Sequence, residues 1–429
     1  MRLEDIVLKI ADAGEAGRKI KKVVSVAGGG LVDFLFPYII PPQDVVSGPG
    51  SSAKVVDILK RANCTKALIV TDNFLNTHGI LDPMKKAMDD AGFPYVIYDG
   101  VEPNPSIESI ETAYAMYKSE GCNCLVGFGG GSSMDAAKVV GCRVARPDLP
   151  VKKMGRIMGY FPVSFGRANS KVPFIVAVPT TAGTGAESTI AAVVSDHEID
   201  KKLTFTDIAM RPKAAILDGS LATGLPPRQT AFTCIDLVSH CTEGYISYAH
   251  NPRGDEWSVK GVRLAKENIA AAIADGNDLV ARQNLCEAAY CGGQALNTEA
   301  TGYVHPFCHK LGAKYGLVHG RCIGAVMPII LEDYGELVAP RLAKLAAAAG
   351  IADPNASVSE QAKQYIQWIR DFGKEYGIDP YIPEIKDEDL DEIADSILLE
   401  IFIYPNIKVY TRDEIKHLLK VIRGDYAKA

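Results

Sequence analysis

The sequence predicts an α/β domain built on a mostly parallel sheet, followed by an all-helical domain. Three observations predict it. Between about residues 44 and 218, short apolar runs alternate with helix-period segments. Beyond Asp218 the strand signal stops, and helix-period segments follow one another to the C-terminus. Glycine-rich stretches in the first half come directly after apolar runs, where strands turn into helices. A chain of 429 residues is too long for one ordinary core, which makes two domains the expectation.

Taken in order, residues 3–22 form an amphipathic helical pattern with Leu3, Ile6, Val7 and Ile10 on one side. Residues 1–33 read as a helical extension, either packed on the body or docking another subunit, and Gly28–Gly30 read as a joint rather than a phosphate loop. KALIVTD (66–72) is a strand ending in an acid, 80–91 is helical, and YVIYD (95–99) is a strand. Residues 106–120 are helical, CLVGFGG (124–130) is a strand, 132–145 is helical, and FIVAVPT (174–180) is a strand. Alternation of this kind gives a parallel sheet with helices on both faces. Helices are then expected at 228–248, 254–275, 278–298, 304–317, 336–349, 359–376, 387–401 and 411–424. The domains are accordingly 34–220 and 221–429.

Composition narrows the function. A formal net charge of −6 argues against nucleic acid as a partner. No run of 18 apolar residues is present, so no membrane span is expected. The N-terminus carries acids where a secretory leader needs bases, and the ten cysteines are scattered, with no partner pair for Cys122 and Cys124. A reduced, cytoplasmic protein is the expectation.

Two glycine-rich turns suggest a nucleotide. GFGGGSSMDAAK (127–138) follows a buried strand and opens a helix, where backbone N–H groups without a Cβ in the way let a phosphate approach. Its spacing is neither the dinucleotide fingerprint G-x-G-x-x-G nor a P-loop. PTTAGTGAE (179–187) follows the next strand, and Thr180, Thr181 and Thr184 offer hydroxyls. Both turns fall at carboxyl ends of parallel strands, the rim where doubly wound sheets bind ligands. Asp72 also ends a strand, and a carboxylate there can accept from ribose hydroxyls and repel a 2′-phosphate. The plainer reading is a solvated turn residue.

Histidines suggest a metal. His305, His309 and His319 fall within fifteen residues, with His305 and His309 one helical turn apart, and Asp236 and His240 are also four apart on an expected helix. Ligand pairs from separate helices are how a divalent ion is held between them.

These pieces, in this order, resemble the iron-containing (group III) alcohol dehydrogenase family. The resemblance rests on GPGSS (48–52), VTDNFL (70–75), VEPNPS (101–106), GGGSSMDAAK (129–138), PTTAGTGAE (179–187), DLVSHCTEGYIS (236–247) and HPFCHKLGAKYGLVHG (305–320). It implies a dinucleotide-binding domain followed by a helical metal-binding domain. By position it implies Asp236, His240, His305 and His319 as metal ligands, with His309 beside the metal. It implies cofactor contacts at Gly130, Gly131, Ser132, Thr180, Thr181, Thr184 and Leu221. Asp72 matches the acid associated with NAD over NADP, Asn104 and Lys202 match further cofactor-side positions, and Asp135 an acid close to the phosphate turn. Ser133, Val318 and Gly219 stand where the family has proline.

The resemblance thus implies NAD(H) and a divalent metal, Fe²⁺ first and Zn²⁺ second, acting on a small-molecule alcohol or aldehyde, in a homodimer or larger homo-oligomer. His309 is the candidate proton relay. A same-fold sugar-phosphate dehydrogenase or dehydroquinate-synthase-like lyase is the alternative. Residues 147–171, with Lys152, Lys153, Arg156, Arg167 and Lys171, read as a charged surface loop or as a seat for an anionic substrate tail.

Overall fold

The structure, a computed structural model, describes residues 7–10, 13, 15–24, 26–27, 40–158, 171–198, 201–249, 251–402 and 404–426. Its contacts gather into two compact units. One comprises residues 39–230 and 268–293, the other residues 1–38, 231–267 and 294–429.

The first unit is α/β. It runs β1 (Asp44–Ser47), α1 (Val55–Arg61), β2 (Ala67–Val70), α2 (Asn73–Thr77), α3 (Asp82–Asp90), β3 (Tyr95–Tyr98), α4 (Ile107–Ser119), β4 (Cys124–Gly129) and α5 (Gly131–Ala145). It continues through α6 (Val151–Met158), β5 (Phe174–Pro179), β6 (Ala191–Asp196), β7 (Lys201–Thr206) and β8 (Ala214–Leu217). Six strands form one sheet in the order β1-β8-β5-β4-β2-β3, every pair parallel. Strands β2, β4 and β8 are buried along their whole length, as a sheet covered on both faces requires. The chain leaves β2 for β3 on one side and returns to β4 on the other, so the order reverses at β2/β4. Doubly wound sheets bind ligands at the carboxyl ends flanking such a reversal.

Two elements of this unit depart from expectation. Residues 147–171, expected as a loop, contain α6, which buries Val151 and Met154 on one side. An antiparallel ribbon, β6–β7, follows the second glycine turn, with Ala192, Val194 and Asp196 buried at alternate positions.

The second unit is helical. Its elements come from α7 (Pro227–Ile246), α8 (Pro252–Ala274), α9 (Leu279–Glu299), α10 (Val304–Tyr315), α11 (His319–Tyr334), α12 (Ala339–Ala348), α13 (Val358–Glu375), α14 (Leu390–Ile401) and α15 (Arg412–Arg423). The end of α8, and α9 as far as Gly293, group with the sheet instead. The reason is local: a Cβ on Gly185, in the second glycine turn, would stand 2.6 Å from Gly293 N and 2.7 Å from Ala289 O. Helix α9 therefore lies backbone-to-backbone on that turn. Helix α11 was not expected. It starts three residues after Gly316 in the left-handed conformation closes α10, has no side-chain cap, and carries Pro328 inside.

Residues 15–24 are helical and belong to the second unit. Val7 and Lys21 are buried there, and Arg18 pairs with Glu414 at 2.8 Å. Lys21 Nζ has no hydrogen-bond partner and lies over the rings of Tyr303 (5.9 Å) and Phe402 (5.6 Å). This part of the extension is packed on the body. Leu3, Ile6 and Gly28–Gly30 lie outside the described residues.

Candidate metal centre and nucleotide turns

Helix α7 places Asp236 and His240 on one face, one turn apart, and α10 and α11 supply His305 and His319. Their functional atoms converge. Asp236 Oδ1 lies 3.4 Å from His319 Nε2, 3.6 Å from His240 Nε2 and 3.7 Å from His305 Nε2. Four donors around an ion at bond lengths of about 2.0–2.2 Å in tetrahedral geometry stand about 3.3–3.6 Å apart. Asp236 Oδ1 and His305 Nε2 are buried and have no hydrogen-bond partner within the protein. Buried polar atoms left this way are costly unless something occupies the space between them. Among the described residues, Asp236, His305 and His319 form the one group with metal-ligand spacing. The residues fit a divalent ion.

Electrostatics agree. Burial alone would push the Asp236 carboxyl up, yet the neighbouring imidazoles of His240, His319 and His305 hold it well below the usual range. Burial pulls His305 down, but Glu243 and Asp236 outweigh it and raise it to about 10. The cluster favours positive charge beside Asp236.

His309 sits one turn beyond His305, its ring stacked on His319 at 5.5 Å. Its Nδ1 is 2.7 Å from Glu400 Oε1 of α14, and Lys310 Nζ is 2.7 Å from Glu400 Oε2. Burial lowers the His309 pKa despite Glu400. Two carboxylates were missed by sequence reasoning. Glu243 pairs with His305, and its signal was present, since positions 236, 240 and 243 share a helical face. Glu400 lies about ninety residues from its histidine, and no local pattern points to it.

The first unit brings the two glycine turns together. Gly129 O accepts from Thr180 N at 3.0 Å, and a Cβ on Gly131 would stand 2.8 Å from Thr184 Cγ2. Gly130 precedes α5 as its cap, with Thr181 as its nearest neighbour at 3.6 Å from a built Cβ. The N–H groups of Gly131 and Ser132 open the helix, where N–H groups have no partner inside it. Asn104, at φ 61°, donates its N–H to Ser132 Oγ (3.2 Å), and its side chain accepts from Lys202 Nζ (2.8 Å). Asp72 caps α2, accepting from Leu75 N at 3.0 Å, so its carboxylate stands at the carboxyl end of β2. Asp72 and Gly130 thereby flank the reversal in strand order. Leu221 is buried against the sheet in a short 3₁₀ turn.

Asp135 is placed differently from the rest. It accepts from Val193 N at 2.8 Å and lies 3.5 Å from Lys138 Nζ, which itself donates to Thr189 Oγ1 and Ala191 O. This buried group ties α5 to the segment after the second turn. Of the basic residues at 147–171, Lys152 pairs with Glu198, and the side chains of Arg156 and Arg167 lie outside the described residues.

Comparison with known proteins gives the family. Residues 42–219 match the family model for iron-containing alcohol dehydrogenase, and residues 230–422 match the model for the C-terminal part of Fe-containing alcohol dehydrogenases. An NAD-dependent methanol dehydrogenase of Bacillus methanolicus is 31% identical, covering 89% of this chain and 98% of that protein. A lactaldehyde reductase of Escherichia coli K12 is 28% identical over 86% of this chain and 95% of its own length. An alcohol dehydrogenase from Oenococcus oeni superposes with a TM-score of 0.82 at 29% identity, covering 89% of this chain and 98% of that one. With both family models matched across nearly all of residues 42–422, this chain belongs to the iron-containing alcohol dehydrogenase family.

Proposed function

We propose that the chain interconverts a short-chain alcohol and its aldehyde with NAD(H), using a divalent metal held by Asp236, His240, His305 and His319. The observation that carries the reading is that three imidazole Nε2 atoms, of His240, His305 and His319, each lie 3.4–3.7 Å from one carboxylate oxygen, Asp236 Oδ1. One Asp and three neutral His suit Fe²⁺, with Zn²⁺ as the alternative. When bound, the metal supplies Lewis acidity at the substrate oxygen and NAD supplies the hydride acceptor. His309 is the proton carrier: with Nδ1 held by the acceptor-only Glu400, its neutral ring takes up a proton at Nε2.

The pyrophosphate is assigned to the start of α5, at Gly130, Gly131 and Ser132, with Thr180, Thr181 and Thr184 from the second turn. Asp72 is assigned to the ribose, and Asn104, Lys202 and Leu221 complete the cofactor side. Asp135 supports the phosphate turn from behind, through Val193 and Lys138. The reading includes a cytoplasmic location and a homodimer or larger homo-oligomer, the latter measurable by light scattering.

The test is NADH oxidation by metal-replete protein across glycolaldehyde, lactaldehyde, butyraldehyde and a carboxylate-bearing aldehyde, with and without chelator. Turnover abolished by chelator and restored by Fe²⁺ or Zn²⁺ is the expected result. NADH binding without turnover on any aldehyde would refute the substrate class and favour sugar-phosphate or lyase chemistry.

A further inference from the structure

Glu243 follows Asp236 by seven residues and His240 by three, so α7 presents all three on one face. It is only 2% exposed. A carboxylate buried this deeply must have its oxygens satisfied, and both are. Oε1 accepts from the backbone N–H groups of Gly302 (3.0 Å) and Val304 (2.8 Å), at the start of α10, where N–H groups have no partner inside the helix. Oε2 pairs with His305 Nδ1. The contact is snug: a Cβ on Gly302 would stand 2.9 Å from Glu243 Oε1.

An ionised carboxylate only accepts hydrogen bonds. When its ring is neutral, as a metal ligand must be, His305 therefore carries its hydrogen on Nδ1 and leaves the Nε2 lone pair to the metal. Nε2 is the atom that faces Asp236 Oδ1 without a hydrogen-bond partner. Charge points the same way. Asp236 and Glu243 together carry two negative charges, which balance one divalent cation among neutral imidazoles.

We propose that Glu243 is the positioning residue of the metal centre, fixing His305 in its ligating tautomer and anchoring the first turn of α10 with the same carboxylate. The proposal rests on the metal-centre reading above. Partners of this kind typically govern metal affinity by 10–100-fold.

Glu243→Gln tests it sharply. The two backbone donors hold the amide oxygen in the Oε1 place, so the amide NH₂ faces His305 Nδ1. That donor demands the opposite tautomer, with the hydrogen on Nε2, where no metal can bind. The full-length protein is stripped with chelator, its Zn²⁺ affinity is measured by competition with a chromogenic chelator, and its unfolding is followed without metal. Glu243→Gln is expected to unfold near the wild-type temperature yet bind Zn²⁺ roughly 10–100-fold more weakly. In the Zn²⁺-loaded wild type the His305 imidazole ¹⁵N shifts are expected to show the Nδ1–H pattern, and at the same Zn²⁺ concentration Glu243→Gln is expected to lack it. Affinity within twofold of wild type overturns the proposal. If Glu243→Gln fails to fold, Gly302→Ala crowds the same oxygen from the other side, and unchanged affinity there overturns it equally. A wild-type protein that binds neither Zn²⁺ nor Fe²⁺ overturns the metal-centre reading itself, a different result from a Glu243→Gln protein that matches a metal-binding wild type.

Discussion

Replacing Gly130 with alanine separates the packing of the phosphate turn from its proposed use. Gly130 has φ −75° and ψ −174°, a conformation open to any residue, and a built Cβ finds nothing nearer than Thr181 at 3.6 Å. The added methyl therefore meets ordinary van der Waals contact. Alanine is a poorer helix cap than glycine by roughly 0.5–1 kcal/mol. Against that, it narrows the unfolded ensemble, a gain of about 0.4–1 kcal/mol. The two nearly cancel, so urea unfolding of the cofactor-free protein should shift by no more than about 0.5 kcal/mol. Cofactor binding should not be spared. A methyl on the turn bars the pyrophosphate from the N–H groups behind it, and each charged hydrogen bond lost there is worth about 1.5–3 kcal/mol. A fluorescence titration should show NADH binding about 10–150-fold weaker. Wild-type NADH affinity in a stable Gly130→Ala protein would refute the placement of the phosphate at this turn.

Three further outcomes are expected. Asp72→Ser keeps an oxygen to cap α2 but removes the charge, so stability should hold while the ratio of NAD to NADP turnover falls; an unchanged ratio removes Asp72 from selectivity. Gly185→Ala forces a left-handed alanine (φ 62°) into the backbone of Ala289 and Gly293, and should cost about 2–5 kcal/mol in chemical denaturation. Glu187 is buried behind the second turn, and burial raises its pKa to about 7. An acid whose folded pKa is raised destabilises the fold progressively as pH climbs from its unfolded value of 4.5 through 7. Glu187→Gln should therefore gain stability over wild type across that window, on the order of 3 kcal/mol at most, and level off above it. A difference that does not vary with pH would assign Glu187 a purely steric role.

The parts of the fold that were legible in the sequence are those where local pattern and tertiary role coincide. Strand β4, the glycine turn and α5 follow one another as a buried run, a turn and an amphipathic segment, and the structure has them within a residue of their expected bounds. The β6–β7 ribbon was not legible, because its strands are of mixed polarity and pair with each other rather than with the sheet. Helix α11 was hidden differently: its uncapped start and internal proline erase the usual boundary signals, and its apolar residues face the core on nearly every side. At the site, the histidines were visible because helical spacing groups them along the chain. The carboxylates that hold them were harder to see. Glu243 lay in the same stripe as Asp236 and His240, whereas Glu400 reaches His309 through the packing of α14, which no sequence window contains.

The N-terminal helix has a practical consequence. The family match begins at residue 42, which makes everything before it look dispensable. Yet Val7, Ile10, Gly17 and Lys21 roof over Leu398, Phe402, Val409 and Tyr410. A chain trimmed at the family boundary would leave that greasy floor wet, inviting trimmed copies to stick to one another and letting the bench chemist mistake clumping for a catalytic defect.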